Sequence, residues 1–195
     1  DYLHAHRARF EEELCEYLRL PSVSAQSHHA KDMRATAVWV VQHCRAIGLK
    51  ARKHATDFHP IVTATTPKRP GKRPHFVVYG HYDVQPPEPL ELWISPPFEP
   101  VVREGKLYGR GVSDDKGSIA VRLAAVEAFM RAGGGLPCTV KFFLEGEEEI
   151  GSPHLGPVIQ EYAHLLKADG CVWEGGGVNW DGSPTISLGL KGILY

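Results

Sequence analysis

Between His75 and Trp173 the sequence switches repeatedly between two hydrophobic periods, and few architectures accommodate that. "HFVVYGHYD" (75–83), "TVKFFLE" (139–145) and "GCVW" (170–173) are apolar runs rich in β-branched or aromatic residues, while Gly117–Arg131 and Leu155–Leu166 between them carry helical spacing. Strands alternating with helices predict an α/β fold, a mostly parallel sheet with helices on both faces. In such sheets ligands gather outside the carboxyl ends of the strands, so chemistry is to be sought there.

The flanks add elements of the same kind. Phe10, Leu14, Tyr17 and Leu18 recur at three- and four-residue spacing within Leu3–Leu20, an amphipathic helix that Pro21 ends. Lys31–Ile47 repeats the pattern through Met33, Ala37, Val40, Val41 and Cys44, with Gly48 where a C-terminal cap belongs. "IVTATT" (61–66) reads as a further strand, Val84–Pro100 as a proline-rich loop, and "VVREGKLYG" (101–109) as a hairpin turning at Glu104 and Gly105.

Composition excludes more than it identifies. A hydrophobic share of 43% and a net charge of −1 describe an ordinary folded chain, with no electrostatic case for a nucleic-acid or membrane partner. The basic run "PKRPGKRP" (67–74) reads as a solvated loop. No stretch approaches the roughly 20 apolar residues of a membrane span, and no leader opens the chain, so a cytoplasmic protein is expected. Cys15, Cys44, Cys138 and Cys171 are scattered without a CxxC pair, and are expected as buried free thiols. His28, His29, His59 and His154 lack any motif and are expected at the surface.

Titratable residues cluster where the strands end: His81 and Asp83 after "FVVYG", Glu147, Glu148 and Glu149 after "FFLEG", and Glu174 after "CVW". Asp114 and Asp115 lie just before the helix that leads back to the sheet. Singly, each has an ordinary account, as an accidental pair, a solvated turn or a helix N-cap. Together, one imidazole and several carboxylates form the donor set of a divalent cation site. His81 and Asp83 are two apart in extended chain, so both can point the same way and Asp83 can fix the imidazole tautomer. Phosphate-loop, HExxH and GxSxG signals are absent from the sequence, which removes nucleotide hydrolysis, zincin chemistry and serine hydrolysis as first readings.

"GHYDVQP", "LYGRGVSDDKG", "LEGEEEIGS" and "VWEGGG", in that order between residues 80 and 177, resemble the catalytic domain of the zinc-dependent aminoacylase, carboxypeptidase and dipeptidase family. The resemblance implies that His81 and Glu174 bind one metal, that Asp114 bridges two, and that Glu149 binds the second. Glu148 would be the general base and Asp83 the partner of His81, with a cis peptide after Asp114. It implies two divalent ions, zinc first and cobalt or manganese as alternatives. The implied reaction is hydrolysis of an amide bond in a dipeptide or small peptide, of dipeptidase or carboxypeptidase type. An N-acyl-amino-acid deacylase and a catalytically dead binding relative are the competing readings, the latter disfavoured because every N-terminal ligand and the base are present.

Members of that family also use a histidine from late in the chain and a lid domain that dimerises. "SPTISLGLKGILY" resembles the entry into that lid, so residues 1–183 are read as the N-terminal part of the catalytic domain and 184–195 as the first strand of the lid. On this reading the 195-residue chain alone is expected to be inactive, and the longer protein a homodimer acting on a small peptide or N-acyl amino acid.

Overall fold

The computed structural model describes residues 1–132, 135–175 and 177–186. Its strands are β1 (Lys50–His54), β2 (Ile61–Thr65), β3 (His75–His81), β4 (Val101–Arg103), β5 (Lys106–Tyr108), β6 (Thr139–Glu145), β7 (Gly170–Val172), β8 (Gly177–Val178) and β9 (Pro184–Thr185). The helices are α1 (Tyr2–Ala5), α2 (Arg7–Leu18), α3 (Ala30–Ala46), α4 (Lys116–Ala132) and α5 (Leu155–Leu166).

The central sheet runs β1-β2-β6-β3-β7. β3 pairs in parallel with both β6 and β7, as the alternation of strands and helices requires, with His81 opposite Glu145. β1 and β2 extend it as an antiparallel edge, β2 running against β6. The six residues linking β1 to β2 are too few for a crossover, so an antiparallel return is the geometry open to them. β1 escapes a pattern search because "KARKH" buries Ala51 alone; charged side chains on an edge strand guard it against pairing with other chains.

Side-chain alternation divides the core between the two faces. Val62, Ala64, Val78, Phe142 and Leu144 point to one side, where they pack under Met33, Val40 and Cys44 of α3 and Ile119 and Leu123 of α4. Ile61, Val77, Tyr79 and Phe143 point to the other, under Val158 of α5. Phe142 and Leu144 are almost wholly buried, so truncating either to alanine would cost about 2–5 kcal/mol.

Local chemistry sets the ends of the elements. The single N-terminal helix read from the sequence is divided at His6 (φ −113°, ψ 15°), whose ring Nδ1 lies 2.9 Å from the Tyr2 carbonyl oxygen. α3 ends in a Schellman arrangement: Gly48 takes φ +97°, its N–H donates to the Arg45 carbonyl and that of Leu49 to Cys44. The β4–β5 hairpin turns at Glu104 and Gly105, both at positive φ.

Of the cysteines, Cys44 is buried, Cys15 and Cys138 are half-buried, and Cys171 is exposed, contrary to the expectation for it, because it sits on β7, the three-residue strand at the edge of the sheet. No helix among the described residues is long and apolar enough to cross a membrane. The expected lid strand lies largely outside the described residues, which include only the short β8–β9 ladder at its start.

Candidate metal centre

β3 delivers His81 as its last residue, with the ring buried at 1% exposure. Gly80 lets the start of α4 close on the strand, since a Cβ there would stand 2.6 Å from Asp115 Oδ2. That oxygen instead accepts the His81 backbone N–H at 3.2 Å. Asp83 is fully buried two residues beyond the strand; its Oδ2 accepts the Ser24 hydroxyl at 2.6 Å and the Glu149 N–H at 3.1 Å.

These contacts orient the imidazole. His81 Nδ1 lies 3.2 Å from the Asp83 carbonyl oxygen and 3.3 Å from its Oδ1, so Nδ1–H donates to Asp83 and Nε2 faces outward. Around Nε2 stand Asp114 Oδ1 at 3.0 Å, Glu174 Oε2 at 3.4 Å and Glu148 Oε2 at 3.8 Å. Three carboxylates have thus been brought from α4's leading turn, the turn after β6 and the end of β7 onto one nitrogen. Gln85 Nε2 holds Glu149 Oε2 at 2.7 Å.

So many anionic groups in a partly dry site favour protons or cations. Burial pushes the Glu174 carboxyl up to about 7, reinforced by Glu148, Asp115 and Asp114. Glu148 and Glu149 are also raised, mainly by burial. Burial would lower His81, but hydrogen bonding and attraction to Asp83, with Asp115 and Glu174 behind it, push it up to about 10.

Two groups have donor atoms within 4.8 Å of one another, His81 with Asp114 and Glu149, and His81 with Asp115 and Glu174. The buried oxygens Glu174 Oε2 and Asp115 Oδ1 have no hydrogen-bond partner, and the donors are one imidazole and several carboxylate oxygens, so the residues fit a divalent cation. The six residues to which the resemblance gives roles stand together here, and the peptide between Asp114 and Asp115 is cis. The structure also brings in Asp115, to which the resemblance gave no role.

Several residues around the cluster carry no motif. Arg122, midway along α4, donates to the carbonyls of Tyr79 at 3.2 Å, Trp173 at 2.7 Å and Gly175 at 3.0 Å, bracketing Glu174 on both sides. Its one sequence signal is a lone cation in the small, apolar stretch "SIAVRLAAV". The buried Lys116 Nζ donates to the Leu20 carbonyl at 2.6 Å and that of Tyr17 at 3.1 Å, anchoring the Asp114–Asp115 turn to the end of α2. His59 is buried rather than superficial: its N–H donates to Glu147 Oε1 at 3.1 Å, and its Nε2 lies 3.3 Å from the Ser24 carbonyl oxygen. Glu147 also holds His154 Nδ1 at 2.8 Å, so this first glutamate of the run is committed to the surrounding loops.

A single imidazole ringed by strand-end carboxylates on this sheet defines a class that comparison with known proteins makes specific. Residues 77–188 match Peptidase family M20/M25/M40, and the chain belongs to that family. It is 32% identical over 189 residues to a cysteinylglycine-S-conjugate dipeptidase of Corynebacterium striatum, covering 95% of this chain and 41% of the relative. It is 42% identical over 123 residues to a succinyl-diaminopimelate desuccinylase of Xylella fastidiosa, covering 62% of this chain and 30% of the relative. The structure of an M20 family metallo-carboxypeptidase from Sulfolobus solfataricus superposes with a TM-score of 0.81 at 34% identity, over 89% of this chain and 38% of that one. The chain therefore spans about two fifths or less of the length of these relatives.

Proposed function

We propose that this chain carries the catalytic centre of a metal-dependent amide hydrolase that cleaves dipeptides or small peptides. The observation that carries the reading is the convergence of Asp114, Glu148 and Glu174 on His81 Nε2, within 3.8 Å. His81, Asp114, Glu149 and Glu174 would hold two divalent ions, zinc first, with Asp114 between them. Ions held there supply Lewis acidity, polarising the scissile carbonyl and acidifying water.

The chain's own residues supply the rest. Glu148 accepts the proton of the attacking water and returns it to the leaving amine, and its raised pKa makes it a stronger base than a solvated glutamate. Asp83 holds the His81 ring in one tautomer and keeps Nε2 directed at the cluster. Arg122 keeps the chain on both sides of Glu174 in place.

A dipeptide substrate is supported by the extent of the likeness, 95% of this chain for the dipeptidase against 62% for the desuccinylase. The higher identity to the desuccinylase, 42%, supports the second reading, a deacylase of N-acyl amino acids. Rates of the metal-loaded full-length protein on a panel of dipeptides and N-succinyl or N-acetyl amino acids separate the two. Faster turnover of the acyl amino acids overturns the dipeptidase reading. On this reading a further histidine ligand and a dimerising lid would come from outside this stretch, so the 195-residue chain alone is expected to show little turnover.

A further inference from the structure

The opposite end of the sheet carries a cleft lined by basic side chains. Where α5 ends, a cleft of about 540 Å³ opens against the amino-terminal halves of β3 and β6, within the roughly 300–1,000 Å³ of small-molecule sites. Lys50, Lys68, Arg69, Arg73 and Lys141 line it, and no aspartate or glutamate does. This clustering is unexpected in a chain with 22 Lys and Arg against 23 Asp and Glu. Among the described residues none of the five forms an ion pair, whereas Arg7, Arg9 and Arg19 on α2 and just beyond it each hold a glutamate.

Strand register builds part of this arrangement. Lys50 of β1 pairs with Thr65 of β2, and Thr65 with Lys141 of β6, so the two lysines flank one hydroxyl on the α5 face. The loop before β3 adds Lys68, Arg69 and Arg73 from the rim, and Arg73 is fixed there by donation to the carbonyls of Pro70 at 3.2 Å and Leu136 at 3.3 Å. Lys141 donates to the Lys167 carbonyl at 2.7 Å, and partial burial lowers its pKa. Thr63 and Thr139 contribute further hydroxyls, and Leu165 and Leu166 an apolar wall.

We propose that this cleft binds a small phosphorylated anion bearing two or more phosphates, its charged groups held by Lys50, Lys68 and Arg69 and its apolar part against Leu165 and Leu166. Arginine and lysine around hydroxyl donors are the groups that recognise phosphate oxygens. The positive groups gather around one half-open cleft of bounded volume rather than forming a stripe along the surface, which favours a compact ligand over a nucleic-acid strand. The carboxylate cluster lies beyond the other end of β6, about 13 Å from Lys141 to Glu145 at roughly 3.3 Å per residue, so the two sites are separate.

Isothermal titration of the protein as isolated with inorganic tripolyphosphate, and separately with ATP, tests this. Both anions are expected to bind, more weakly as salt is raised. Lys68→Glu/Arg69→Glu should weaken binding about tenfold or more, and Lys50→Glu, on a different element, should weaken it in the same direction. All three side chains are on exposed residues, and thermal melts of the variants verify that they fold. Absence of binding to the unaltered protein overturns the proposal. So does unchanged affinity in both folded variants, which would place the anion elsewhere, for instance on metal held by the carboxylates. Tighter binding of a single-stranded RNA oligonucleotide through the same residues would replace the small ligand with a nucleic acid.

Discussion

At the carboxyl ends of β3 and β6 stand His81, Glu148 and Glu149; at the amino ends of the same two strands stand His75, Lys141 and the basic loop 67–74. The first group is held by the fold: Asp83 by Ser24 and a backbone N–H, Glu149 by Gln85, the surroundings of Glu174 by Arg122. The second is made mostly of long side chains on exposed residues. A net charge of −1 therefore conceals two poles of opposite sign separated by the core. The acidic pole is rigid and partly dry, so its like charges are destabilising until a cation or proton joins them. The basic pole is solvated, and its charges cost little when empty.

The largest effect that would break this contrast is at the acidic end. In the full-length protein, Glu148→Gln should lower hydrolysis by about 10²–10⁴-fold while leaving metal content, read by elemental analysis, unchanged. A matching loss of metal would make Glu148 a ligand instead of a base. Asp83→Asn, which removes the charge behind His81, should weaken metal affinity by about 10–100-fold in a chelator competition. Equal affinity would show that the buried carboxylate serves the fold alone.

Packing rigidity is tested at Gly80, where a methyl group would meet Asp115 Oδ2 and Ile119. Gly80→Ala should cost about 1–3 kcal/mol in urea unfolding and loosen metal binding, whereas an unchanged midpoint would show that α4 shifts freely. The smallest effect concerns Cys44 in the layer between the poles, whose thiol burial raises to about 12. The folded state keeps this proton above the unfolded pKa of about 8.5, so the thiol's contribution is complete below that pH and declines as pH rises toward about 12. Comparing unfolding of the protein and Cys44→Ala over one pH unit above about 8.5 should give a difference that shrinks by about 1 kcal/mol. A constant difference would mean that water reaches this layer.

How legible the molecule was in its sequence varies with the range of the interactions involved. β3, β6, α4 and α5 show because each buries a face with its own period, and His81 and Asp83 show because a strand places alternate residues together. β1 is hidden because an edge strand with one buried alanine needs no hydrophobic pattern. His59 looked superficial because its burial comes from contacts with Glu147 and Ser24, 88 and 35 residues away. Arg122 acts on backbone carbonyls 43 to 53 residues distant, which leave no side-chain signature.

Residue chemistry and local spacing specify the donor types, their positions at the ends of strands, and the family motifs that group them. Tertiary structure alone decided that Nε2 of His81 faces Asp114, Glu148 and Glu174, that Asp115 joins them, and that Lys50, Thr65 and Lys141 form one row. The physical reason is register. Local periodicity specifies which face of an element is buried, but pairing between distant strands and the closing of α4 onto Gly80 determine which charged side chains meet.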